Sequence, residues 1–151
     1  MIFGAVMTNK FNLILTCDSE LVVSLIQAIL GAISGIEISA IEKDIDRTFE
    51  LIKDITPDLL ILSVNRLDSS AVEKLKKINE QMVIIILSSN LSINFSSQWK
   101  EAGANYVFDL TVNLHNLIDV LCELLYQRQL KSMLSKKAFD NLDSSLFDAS
   151  I

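Results

Sequence analysis

Short apolar runs recur along the chain: Leu13-Ile14-Leu15-Thr16, Ile36-Glu37-Ile38-Ser39-Ala40-Ile41, Leu59-Leu60-Ile61-Leu62 and Val83-Ile84-Ile85-Ile86-Leu87, with Asn105-Tyr106-Val107-Phe108 as a fifth. The first, third and fourth are apolar without a break, as strands covered on both faces of a parallel sheet must be, whereas the second alternates and belongs nearer an edge. Segments of helical period separate them. Ser19 to Ile33 sets Leu21, Leu25, Ala28, Ile29 and Ala32 on one stripe, with Asp18 or Ser19 available as N-cap. Ile45, Phe49 and Ile52 mark a second helix, stopped at Thr56-Pro57-Asp58. Val72, Leu75 and Ile78 mark a third, and Phe95, Trp99 and Ala102 a fourth that ends at Gly103. Leu114, Leu117, Ile118, Leu121 and Leu125 make the fifth and longest. Five consecutive βα units joined by short connections predict an α/β fold: a parallel sheet with right-handed crossovers, open rather than closed because eight strands are needed for that barrel. The expectation is a three-layer, doubly wound sandwich.

In such a sheet a site forms at the carboxyl ends of the strands. The residues placed there are Thr16, Cys17, Asp18 and Ser19; Ser63, Val64 and Asn65; Ser88 and Ser89; and Asp109, Leu110 and Thr111. Boundaries are expected near residues 10 and 130: a short N-terminal extension over 1–10, the α/β domain over 11–130, and a segment 131–151 whose composition turns basic and then acidic. That last segment reads as a disordered tail, or as a helix that extends the fifth or docks on a partner.

Composition narrows the function classes. The chain has 151 residues, half of them hydrophobic, which suits one domain with a sizeable core. A net charge of −6 removes the counterion-release term that drives binding to phosphate backbones, so no nucleic-acid partner is expected. No apolar stretch approaches the roughly 18 residues of a membrane helix, and the apolar start Met1 to Met7 lacks the basic flank of a signal peptide. No membrane partner is expected. Cys17 and Cys122 lie within apolar runs, outside disulfide or zinc spacings, in keeping with a reducing cytoplasm. The turn Thr16-Cys17-Asp18-Ser19-Glu20 has no glycine to let backbone approach a dinucleotide phosphate. Ser63 and Ser88 lack a G-x-S-x-G elbow and any histidine after a strand, and the only histidine, His115, falls in the first turn of the fifth helix. No enzymatic activity and no cofactor are expected. Lys74, Lys76 and Lys77 with Glu73 and Glu80 read as a solvated helix face.

Pro57-Asp58-Leu59-Leu60-Ile61-Leu62-Ser63-Val64-Asn65, Leu75-Lys76-Lys77-Ile78, Val83-Ile84-Ile85-Ile86-Leu87-Ser88-Ser89 and Ala102-Gly103-Ala104-Asn105-Tyr106-Val107-Phe108-Asp109 together resemble successive signature segments of response-regulator receiver domains. The resemblance spans roughly residues 11 to 128. It implies a flavodoxin-like fold with strand order 2-1-3-4-5. It also implies a phosphorylation site in which an aspartate ends the third strand, an acidic pair after the first binds Mg²⁺, a hydroxyl follows the fourth and a lysine follows the fifth.

Carried across, the acceptor position falls on Ser63, the acidic pair on Cys17 and Asp18, the hydroxyl on Ser88 and the lysine on Leu110; Asp18 is the one carboxylate left as a magnesium candidate. The aromatic switch position falls on Val107, flanked by Tyr106 and Phe108. Phosphoryl transfer to a carboxylate needs that nucleophile, a hard cation and a clamping lysine. Their replacement implies a degenerate receiver, a pseudo-receiver, acting in signal transduction independently of phosphorylation. Its output would pass through a protein partner or self-association on the face of the fourth helix, fifth strand and fifth helix. Two alternatives stay open: a small-ligand module using the neutral pocket of Ser63, Ser88, Asp18 and Thr111, and a phosphorylatable regulator using a displaced acid, Asp18 or Asp68.

Overall fold

A computed structural model describes residues 10–63, 68–88, 93–111 and 114–149, with backbone alone for 93–95 and 136–149. Strands and helices alternate: β1 (Phe11–Cys17), α1 (Glu20–Gly31), β2 (Ile36–Glu42), α2 (Ile45–Asp54), β3 (Leu59–Ser63), α3 (Ser69–Ile78), β4 (Val83–Ser88), α4 (Ile93–Ala102), β5 (Tyr106–Asp109) and α5 (Leu114–Ala149). The strands pair in parallel in the order β2-β1-β3-β4-β5. The unbroken apolar run of β3 sits at the centre and is buried throughout, and the alternating β2 lies at an edge, as its pattern requires.

Alternation along the strands splits the core in two. Ile14, Leu60, Leu62, Ile84 and Ile86 cluster with Ile52 of α2, Val72 and Leu75 of α3, and Trp99 and Ala102 of α4. Their alternates Leu13, Leu15, Leu59, Ile61, Ile85 and Leu87 are equally buried, as are Ile26 and Leu30 of α1 and Leu117 of α5. Each fully buried leucine or isoleucine contributes about 1.5–3 kcal/mol by leaving water.

Caps fix where the helices begin. Ser19 Oγ accepts from the Val22 amide at 3.4 Å, Asp44 from the Arg47 amide at 2.9 Å and Asp68 from the Ala71 amide at 3.1 Å. The buried stripe of α1 differs from the expected one. Ile26 and Leu30 face inward, while Leu21 is 80% exposed, Leu25 41%, and Ala28 and Ala32 are exposed too. The reason is that ELVVSLIQAILG is apolar on nearly every side, so two stripes one position apart satisfy the helical period equally well.

The chain divides into two compact units, Met1–Ile118 and Asp119–Ile151, so α5 belongs to both. Beyond residue 130 the backbone continues as helix to Ala149. Cys122, which the sequence sets within an apolar run, is exposed, because it stands one position, about 100° of rotation, from the buried Leu121. Among the described residues no helix is long and apolar enough to cross a membrane.

Candidate functional site

The carboxyl ends of the strands bring the expected residues to one edge of the sheet. Cys17 of β1 stands in register with Ser63 of β3, and Ser88 of β4 with Asp109 of β5. Ser63 is 7% exposed and Cys17 is buried, whereas Asp18 is exposed and Ser88 and Leu110 are half-buried. Val64, Asn65 and Ser89 lie outside the described residues.

Each of these groups has a local role. The Cys17 thiol donates to the Ser19 carbonyl at 3.4 Å. The Leu110 amide donates to the Ser88 carbonyl at 3.0 Å, which extends the pairing of β4 and β5 by one step. Asp109 accepts from the Thr111 hydroxyl at 2.6 Å and from the Thr111 amide at 2.8 Å, and these two donors, the hydroxyl foremost, hold its carboxyl below the usual carboxylate range. Asp109 and Thr111 thereby close the turn after β5.

Thr16, expected at the rim, is fully buried and hydrogen-bonded to Thr48 of α2. Thr48 donates its hydroxyl proton to the Asp44 carbonyl at 3.2 Å, so Thr16 must donate to Thr48. Thr16 alternates with Cys17 and shares the face of Ile14, which places it under α2 and away from the strand-end pocket. The sequence signal for its partner was Thr48 itself, four residues after a capping aspartate and able to bond back to that residue's carbonyl.

On β5, Val107 packs against the core cluster while Tyr106 and Phe108 stack, with ring centroids 6.0 Å apart. The position aligned with an aromatic switch is therefore a packing residue. The flanking rings share one face of an edge strand and are half-buried.

The donor set can be tested against magnesium, which takes hard oxygen ligands and usually at least one or two carboxylates. Among the described residues one carboxylate, Asp18, stands beside Cys17 and Ser63, with a thiol already donating to a backbone oxygen and a neutral, nearly buried hydroxyl; the other strand-end carboxylate, Asp109, lies two strands from Ser63 and is held by Thr111. A lone carboxylate beside a thiol and a neutral hydroxyl is a poor donor set for the ion. Among the described residues no group of three or more His, Cys, Asp or Glu side chains is placed to hold any metal. The displaced acid Asp68 serves as the cap of α3, bonded to the Ser70 hydroxyl at 2.5 Å and to the Ala71 amide.

The opposite edge of the sheet carries a network that the sequence did not reveal. Lys76, read as part of a solvated face, donates to the Met82 carbonyl at 2.6 Å and to Asn105 Oδ1 at 2.8 Å, and burial pushes its ammonium pKa down. Asn105 Oδ1 also accepts from the Ile84 amide at 2.9 Å. Gly103, at φ +122°, leaves room for this arrangement, since a Cβ there would come within 3.1 Å of Lys76 Cγ.

No protein-family model and no curated protein matches the sequence. Solved structures do resemble the fold. The receiver domain of RcsB from Salmonella enterica serovar Typhimurium, solved with phosphomimetic BeF3−, superposes with a TM-score of 0.72 at 16% identity, over 78% of this chain and 90% of its own. A LuxR-family two-component response regulator from Aurantimonas sp. SI85-9A1 gives 0.70 at 16%, over 78% and 86%. The signal receiver domain of a DNA-binding response regulator from Colwellia psychrerythraea 34H gives 0.69 at 17%, over 78% and 99%. The chain has the receiver fold.

Proposed function

We propose that this chain is a receiver-like signalling domain of the cytoplasm that acts through protein contacts, without phosphorylation and without catalysis. The observation that carries the reading is Ser63. It ends the central strand beside Cys17, at the position where the resemblance expects the phosphoacceptor, and it offers a neutral, nearly buried hydroxyl. A serine there has no low-pKa oxygen to attack a phosphoryl group, Leu110 cannot clamp one, and the residues around Asp18 do not suit the magnesium that would neutralise its charge. The contact surface in this reading is the α4–β5 edge with the first turn of α5, where the Tyr106–Phe108 pair offers half-buried aromatic area on the outermost strand of the sheet. Asp68 is committed to the cap of α3, which weighs against the displaced-acid alternative.

Incubation of the protein with acetyl phosphate and Mg²⁺, and separately with beryllofluoride and Mg²⁺, tests this. The expected result is an unchanged intact mass and an unchanged melting temperature. A stoichiometric, acid-labile phosphoryl adduct would overturn it, and its loss in Asp18→Ala or Asp68→Ala would identify the acid.

A further inference from the structure

The helix α1 turns an apolar face to solvent. Leu21, Leu25, Ala28 and Ala32 follow one another at spacings of four, three and four residues, on the side of the helix away from the buried Ile26 and Leu30, and all four are exposed. The face is low at its carboxyl end, where the exposed Gly31 joins the two alanines and a Cβ added to Gly31 would meet nothing within 4 Å. It is also uncharged, since Glu20 at the amino end is the only charged side chain between residues 20 and 33. Single exposed apolar residues are ordinary, but a continuous strip along three turns calls for a cover.

The chain itself supplies one. Residues 1–9 precede the described part, and seven of them, Met1-Ile2-Phe3-Gly4-Ala5-Val6-Met7, are apolar and uncharged. They join β1 beside the end of α1: the Phe11 amide donates to the Gly35 carbonyl at 2.8 Å, and Gly35 follows Gly31 by four residues, so the start of β1 lies within about 14 Å of the end of the helix. We infer that Ile2 to Met7 pack in extended form along this face of α1, with Met7 at Ala32 and Ile2 at Leu21. The lengths agree. The five steps from Ile2 to Met7 span about 17 Å when extended, as do the eleven from Leu21 to Ala32 in a helix. Thr8 and Asn9 are residue types that suit the reversal between β1 and the helix. The bulky side chains Val6 and Met7 fall over the low end of the face, and the smaller relief of Gly4 and Ala5 over its middle. A tether this short holds the segment at an effective concentration of about millimolar, which favours it over a second copy at micromolar concentration, and the net charge of −6 works against that second copy as well. The contact lies on the opposite face of the sheet from α4 and is independent of the edge at β5.

A double-substitution cycle in the full-length chain tests the inference. An uncovered Leu21, 80% exposed in the first turn of a helix, tolerates an acid, so Leu21→Asp would then be neutral or stabilising. Under the segment it should instead lower the folded-to-unfolded ratio about fivefold, Ile2→Ser should do the same, and the two together should cost no more than either alone. With Cys122→Ser in the background, Met7→Cys and Ala32→Cys should join within one chain under mild oxidation, while Met7→Cys with Ser97→Cys on α4 should not. Silent or additive substitutions would overturn the inference, and so would equal cross-linking to both cysteines. A disulfide that forms between chains, or sedimentation that shows a dimer dissolved by Leu21→Asp, would assign the face to a second copy and overturn it too.

Discussion

The two edges of the sheet are built differently. At the amino-terminal edge, side chains tie together segments far apart in sequence. The Asn12 amide donates to Asp58 Oδ2 at 2.8 Å across 46 residues, and Lys76 and the Ile84 amide converge on Asn105 Oδ1 across 29 and 21. At the carboxyl rim Cys17 bonds to Ser19 and Thr111 to Asp109, both local, and a backbone bond joins neighbouring strands; the Thr16–Thr48 pair, 32 residues apart, lies one residue further in, under α2. The first edge fixes strand order and register with charged and polar groups in partly buried positions. The second presents Cys17, Ser63, Ser88 and Leu110, all neutral, with the carboxylate Asp18 exposed just beyond β1 and Asp109 at the end of β5. The polar groups that hold this molecule together are thus concentrated away from its candidate site, and the two edges should respond differently to substitution.

Asn105→Ala gives the largest expected effect. It removes one acceptor from two donors at once, the Ile84 amide in a part-buried bond and the Lys76 ammonium in an exposed one that water can partly replace. A loss of about 1–2 kcal/mol is expected, read as a lower urea midpoint with unchanged slope. The same substitution should sharpen the pH dependence of Lys76. Burial already holds its pKa below 10.5, so the unfolded chain binds the proton more tightly than the native one. Stability from this group therefore rises as pH climbs through the folded pKa toward 10.5. With one acceptor gone, the charged form loses support and that window should widen downward. An Asn105→Ala protein as stable as wild type would mean that this edge does not hold the sheet.

Cys17→Ala and Ser63→Ala form the counterpart at the other edge, with a smaller expected effect. The thiol forms one weak local bond, and either substitution removes a single heavy atom from the strand end. Each should shift stability by about 1 kcal/mol or less. A loss as large as that of Asn105→Ala would show that the carboxyl edge is structural and would erase the contrast.

Sequence pattern carried the sheet because parallel strands buried on both faces leave unbroken apolar runs, and β1, β3 and β4 have them. It carried the positions of Cys17, Ser63, Ser88 and Leu110 because strand ends are legible wherever a run stops. The buried face of α1 was not legible: Leu21, Val22, Val23, Leu25, Ile26, Ala28, Ile29 and Leu30 are apolar around most of the helix, and periodicity selects a face only where polar residues mark its opposite. Lys76 was misread for a different reason. Its partners come from residues 82 and 105, and a pairing across that separation leaves no local signal on a helix whose neighbours Lys74 and Lys77 are exposed. Thr16 shows the limit of reading a rim from a strand's last residues, since alternation sends each successive side chain to the other face.

The smallest expected effect concerns Asp68, which sits between the two edges in kind. It belongs to the carboxyl side of the sheet by position, yet its carboxylate does structural work as the cap of α3. Hydrogen bonds from the Ser70 hydroxyl and then the Ala71 amide hold its pKa below the usual 3.8. A carboxyl depressed in the folded state stabilises the fold fully above its unfolded pKa, and that contribution is lost as pH falls through 3.8 toward the folded value. Asn also caps helices but does not titrate, so Asp68→Asn should leave α3 capped at neutral pH while flattening the acid limb of the stability profile below 3.8. Asp68→Ala should lower stability at neutral pH and flatten the same limb. If Asp68→Asn instead changes the response to acetyl phosphate and leaves the acid limb intact, this carboxylate belongs to chemistry at the strand ends, and the division between a structural edge and a silent one fails at this residue.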